Sequence, residues 1–79
     1  MPIAIVLDMI ETQMYRALDD NEIDPTPDRR LTFLTSLMEL LAKDEANVMV
    51  PAEAKLLTES AIDILITQTK FEMLLSELD

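Results

Sequence analysis

The chain has 79 residues, of which 49% are apolar, contains no Cys, His or Gly, and carries a net charge of −10. That length allows one domain at most. The missing residue types exclude disulfides and thiol chemistry, and remove the commonest general base and transition-metal ligand.

A domain this small buries only about 60% of the surface its unfolded chain exposes, so its stability rests on packing or on a partner. Many apolar residues beside so much negative charge imply segregated faces. The charge opposes contact with nucleic-acid phosphates and anionic lipid, and favours a basic protein partner. No charge-free run approaches the roughly 20 residues of a membrane span. The start, MPIAIVLD, has no basic residue ahead of its apolar run and meets Asp8 at once, unlike a secretory signal. The expected location is therefore cytoplasmic.

Helices are predicted over residues of about 2–20, 27–46 and 51–78. In the first, Ile3, Leu7, Ile10, Met14 and Ala17 recur in alternating steps of four and three, with Val6 and Leu18 beside them, which makes one helix stripe. Pro2 suits the first helical position. β-branched residues in IAIVLDMI favour a strand, but the stripe continues to Leu18 and favours the helix. In the second, Thr26 is placed to cap, Pro27 fits the first turn and Asp28 complements the helix dipole. Leu31, Leu34, Met38 and Leu41 form one row, with Phe33, Leu37 and Leu40 in a second. So wide an apolar arc predicts the most buried element.

The third helix begins at Pro51. Ala54, Leu57, Ala61, Ile64, Gln68, Phe71, Leu75 and Leu78 run in unbroken steps of three and four, a heptad-like seam with one polar member. Ile62, Leu65, Ile66, Met73 and Leu74 flank it. Without Gly, the left-handed residues that often close helices fall to the chain's two Asn. Asn21 and Asn47 each stand four residues before a proline and are predicted as caps.

These elements predict an all-α, three-helix antiparallel bundle with a long C-terminal helix. At 1.5 Å per residue the third helix is about 42 Å long, against about 27 Å for each of the others. Its end, KFEMLLSELD, then projects Phe71, Met73, Leu74, Leu75 and Leu78 past its neighbours. Contiguous apolar surface of that kind marks an interface, and a symmetric homodimer is the commonest cover. Gln68 either reaches water at the edge of the seam or sets register from within it. The rival fold breaks the helix near residues 58–60, where Ser60 caps and Asp63 completes a capping box, giving a monomeric four-helix bundle.

The densest local chemistry is DDNEIDPTPD, with Asp19, Asp20, Glu22, Asp24 and Asp28. Counted from Asp20, a calcium loop needs Gly at the sixth position and Glu at the twelfth, where this chain has Pro25 and Leu31. The cluster reads as a solvated loop with capping carboxylates, or as an acidic contact patch for a basic protein. There is no Gly-rich phosphate loop and no nucleophile elbow. Arg29–Arg30 is the only adjacent basic pair and no aromatic residues interleave with it, so direct nucleic-acid binding is not expected. Six methionines are many for this length. Met14 and Met38 suit core filling, and Met49, within NVMVP, either tucks over the bundle end or touches a partner.

Neither catalysis, cofactor nor metal is expected. The reading is a small acidic helical protein–protein interaction module that modulates a partner, as an inhibitor, antitoxin or accessory subunit. Two rivals stand beside it: a DNA mimic that inhibits a nucleic-acid-binding protein, and a structural scaffold subunit. Stripes and composition of this kind recur in many unrelated helical proteins and single out no family.

Overall fold

A computed structural model describes residues 2–78. They form α1 (Ile3–Asp20), α2 (Pro27–Lys43) and α3 (Lys55–Glu77), with a 3-10 turn, Ala52–Ala54, leading into α3. No described helix is long and apolar enough to cross a membrane.

The ends of α1 differ from expectation in instructive ways. Pro2 is the extended N-cap (φ −64°, ψ 140°), one position before the helix. At the other end Asn21 is not left-handed (φ −98°), because its amide Nδ2 donates back to the Ala17 carbonyl at 2.7 Å. Glu22 takes the left-handed position instead, at φ 57°. The Ile23 N–H donates to Leu18 O at 2.9 Å and the Glu22 N–H to Asp19 O at 3.0 Å, the paired bonds of a Schellman closure. Ile23 packs against the core and completes that motif's apolar contact.

A Glu in this region pays a steric cost that Gly avoids. Glu22→Gly is therefore expected to stabilise the fold by about 0.5–1 kcal/mol, or roughly 4 °C in Tm. A thermal melt followed by circular dichroism checks it. A fall in Tm would show that the Glu22 side chain contributes more than its backbone costs.

α2 opens as its sequence predicts. Thr26 Oγ1 accepts from the Arg29 N–H at 3.3 Å, Pro27 stands in the first turn with Asp28, and Lys43 lies in the last. The helix stops at Lys43, short of residue 46, because the Asp44 carboxylate captures the chain beyond it. That carboxylate accepts from the Met49 N–H at 2.7 Å and the Val48 N–H at 2.9 Å. These two N–H groups hold the Asp44 carboxyl below its ordinary range. Asn47 is left-handed (φ 55°), but inside this loop rather than at the helix end.

α3 runs through residues 58–60 without a break. Thr58 Oγ1 donates to Ala54 O at 2.8 Å, and Ser60 is an exposed residue within the helix. The interruption that a fourth helix would need is absent from the described residues.

Directions follow from side-chain neighbours. Arg30 at the start of α2 meets Glu72 near the end of α3, so these two helices are antiparallel. Val6 and Ile10 of α1 share a cleft with Thr58 and Ile62 of α3, and Tyr15 stacks near Arg30, so α1 runs up, α2 down and α3 up. The core joins Met14 and Leu18 to Leu34 and Leu41 and to Ile62 and Leu65.

The most buried element is α3, contrary to the expectation for α2. It buries Ala61, Ile62, Leu65 and Thr69, whereas α2 buries only Leu34 and Leu41. The cause is architectural: both other helices lie on α3, while α1 and α2 touch each other little. The second row of α2 therefore opens outward, with Phe33 and Leu37 half-buried and Leu40 exposed. Thr69 is the one buried polar side chain described, and its Oγ1 donates to Leu65 O at 2.7 Å.

Candidate interaction surfaces

The long helix carries two apolar faces. Ala61, Ile62, Leu65 and Thr69 turn toward α1 and α2. Of the row predicted as the seam, Ala61 is fully buried on this inner face, whereas Leu57, Ile64, Gln68, Phe71, Leu75 and Leu78 lie roughly 120° further round at 100° per residue. Its outer members are Phe71 (58% exposed), Leu75 (48%) and Leu78 (76%), and Leu74 (53%) lies beside them. Gln68 is exposed as well. Met73 leaves this group: it is half-buried and lines a shallow groove with Thr26, Pro27 and Asp28 at the start of α2.

The outer strip, from Leu57 through Ser60, Ile64, Thr67, Gln68, Phe71, Leu74, Leu75 and Leu78, contains no charged residue, in a chain with sixteen carboxylates. Exposed surface of a −10 protein ordinarily carries charge. An uncharged strip more than five turns long, apolar at its C-terminal end through Phe71, Leu74, Leu75 and Leu78, is the feature here that solvent alone does not explain.

A second apolar surface lies between α1 and α2, where the two helices stand apart. The cleft encloses about 300 Å³. Val6, Met9 and Ile10 line it from α1, Phe33, Leu37 and Leu41 from α2, and the fully buried Ile62 forms its floor. Met49 and Val50 close one end, so Met49 neither leaves the fold nor seals it, and is half exposed (46%).

The acidic residues of the α1–α2 turn, Asp19, Asp20, Glu22, Asp24 and Asp28, are all exposed. No group of three or more metal-ligating side chains converges among the described residues.

The one ion pair described joins Arg30 Nη2 to Glu72 Oε1 at 2.8 Å, so the end of α3 lies beside the start of α2 on one side and does not project past it as its length predicted. Arg30 Nε also donates to Pro25 O at 3.0 Å, and its guanidinium lies 6.0 Å from the Tyr15 ring centre. The Arg30 hydrogen bond holds the Glu72 carboxyl below its ordinary range. A folded-state value below the unfolded one stabilises the fold above the unfolded value, and the contribution is lost as pH falls through the folded value. Because the Glu72 side chain is 51% exposed, the pair contributes only about 0.5 kcal/mol at neutral pH. Glu72→Gln is expected to remove that increment. In urea titrations the gap between the two proteins should narrow as pH falls below the ordinary Glu range and close once Glu72 is protonated in the folded protein as well. A gap that persists in acid would mean that Glu72 contributes by packing rather than by charge.

Comparison with known proteins brings no relative: no family model matches the chain, and no curated protein or solved structure matches it.

Proposed function

We propose that the protein is a non-enzymatic helical interaction module, that it works as a homodimer paired through the outer strip of α3, and that it modulates a partner protein. The observation that carries this reading is the neutral strip of Ile64, Gln68, Phe71, Leu75 and Leu78 on an otherwise strongly acidic chain. Two identical acidic proteins repel wherever their carboxylates meet, and along this strip there are none to meet. The residues recur with the spacing of a coiled-coil seam, so one copy's ridge suits the groove of another.

Area supports the same pairing. Phe71, Leu74, Leu75 and Leu78, with their partly exposed neighbours Leu57 and Ile64, expose on the order of 500 Å² per copy, at roughly 200 Å² for a fully exposed large residue. A pair would bury up to about 1,000 Å², the size at which a specific interface begins. The exposed carboxylates at the α1–α2 turn then remain free for a basic surface on the modulated protein.

Light scattering over a concentration series tests the reading. The expected mass at high concentration is twice the 9.0 kDa of one chain. A mass equal to one chain at every concentration would remove the dimer. A mass above two chains would favour a structural assembly unit.

A further inference from the structure

We infer that the cleft between α1 and α2 is an acceptor groove for one amphipathic helix of a partner protein, with apolar anchors about two turns apart and basic flanks. This rests on the reading of the chain as an interaction module, and is independent of dimerisation through α3.

Shape argues for a helix. α1 and α2 both lie on α3 but barely touch each other, so an elongated cleft remains between them over the buried Ile62. The lining runs from Val6 to Gln13 on one wall and from Phe33 to Leu41 on the other. Each wall is about two helical turns long, roughly 12 Å. That length accepts side chains at i, i+3 or i+4, and i+7 from a helix laid along it. Among the described residues there is no sheet edge for an extended segment to join.

Charge decides the chemistry of the occupant. No lining residue is charged, and only Gln13 and Thr58 are polar, so the inserted face must be apolar. The outer side of α1 adjoins the cleft through Met9 and Gln13 and carries Asp8, and the chain as a whole carries −10. A helix with Lys or Arg beside its apolar face is therefore attracted, and an acidic one repelled. A second copy meeting the cleft with its own α1 face would bring Asp8 to the same place and fits less well. Met9 and Met49, both partly exposed at the cleft, supply unbranched thioethers that adapt to different side chains.

The test uses a designed peptide of about 15 residues with Leu at i, i+3 and i+7 and Lys on the flanks. Its controls are a scrambled peptide of the same composition and a peptide with Glu in place of Lys. Methionine-methyl NMR reads the site directly. The patterned peptide is expected to shift the Met9 and Met49 methyl signals and to leave Met73 unmoved. Met9→Glu and Met49→Glu, at exposed positions the fold tolerates, should each weaken binding about tenfold or more. Equal binding of the scrambled peptide would overturn the inference, since net charge alone then accounts for it. So would shifts at Met73 in place of Met9, or Met9 and Met49 signals that move on dilution without peptide, which would put a second copy in the cleft. Binding of anilinonaphthalene sulfonate there, with no response to the peptide, would make it a small-molecule cleft and overturn it likewise. Measuring the mass of the unsubstituted protein by light scattering in the same titration separates the two readings. A monomer that still binds the peptide keeps the groove and abandons the dimer, and a dimer blind to the peptide does the reverse.

Discussion

On the pairing proposed for α3, Phe71→Glu with Leu75→Glu should convert a dimer to a monomer while leaving the helix content unchanged. Both side chains lie on the outer strip, about half exposed, and neither belongs to the core cluster. The folded monomer therefore tolerates the change. In a pair, the same substitutions place four carboxylates in a seam that had none. Central apolar anchors of an interface cost about 2 kcal/mol or more each when removed, and buried like charges add to that. The dissociation constant is expected to rise at least about 100-fold. Light scattering reads the mass, and circular dichroism confirms the helices. Lys70→Glu, exposed on the charged side of α3, controls for net charge and should leave the mass as it was. If Lys70→Glu dissociates the pair equally well, general repulsion is at work and the strip is not the interface.

The second large effect concerns the core. Leu34 is fully buried (0% exposed) and joins Met14, Leu18, Leu41, Ile62 and Leu65 in one cluster drawn from all three helices. Leu34→Ala removes three carbon atoms from a site that cannot collapse without moving a helix, and should cost about 3 kcal/mol. Total stability for a domain this size is of order 5 kcal/mol. Tm is then expected to fall by roughly 12–24 °C. Leu40→Ala, on the same helix but 56% exposed, should change stability by less than about 0.5 kcal/mol. Both melts must be run at one protein concentration, because self-association itself raises Tm. Equal losses from the two substitutions would show that Leu40 is covered in solution.

Those two leucines mark the limit of what periodicity can resolve. Leu34 and Leu40 stand in adjacent rows of one amphipathic helix, and both read as core. Which row is covered depends on where the neighbouring helix lies, and the separation of α1 from α2 leaves one row facing a cleft. The same limit applies to Thr67 and Thr69: they look alike in sequence, yet only Thr69 is buried. Turn chemistry was partly readable. Thr26, Pro27 and Asp28 announced the start of α2, because capping is a local matter of three or four residues. The left-handed closure of α1 was not, since Asn21 spends its amide on Ala17 and passes the conformation to Glu22. Of the surface residues singled out, Gln68, Phe71, Leu74, Leu75 and Leu78 are exposed together, while Met73 turns toward α2. The cleft had no sequence signal, because its walls come from separate helices and its opening exists only once they are placed.

The amino-acid order by itself determined that the chain is helical, where α2 begins, and that the last helix carries apolar side chains around more than one side. These are properties of local hydrogen bonding and of periodicity, and they need no knowledge of neighbours. Tertiary structure alone decided which apolar face each helix spends on the core. Two shorter helices both lie on α3 and cover only one of its faces, so the seam's Ala61 joins Ile62 and Leu65 inside while Phe71, Leu75 and Leu78 stay outside with Leu74. Burial is a property of the assembled helices, and a single helix does not contain it.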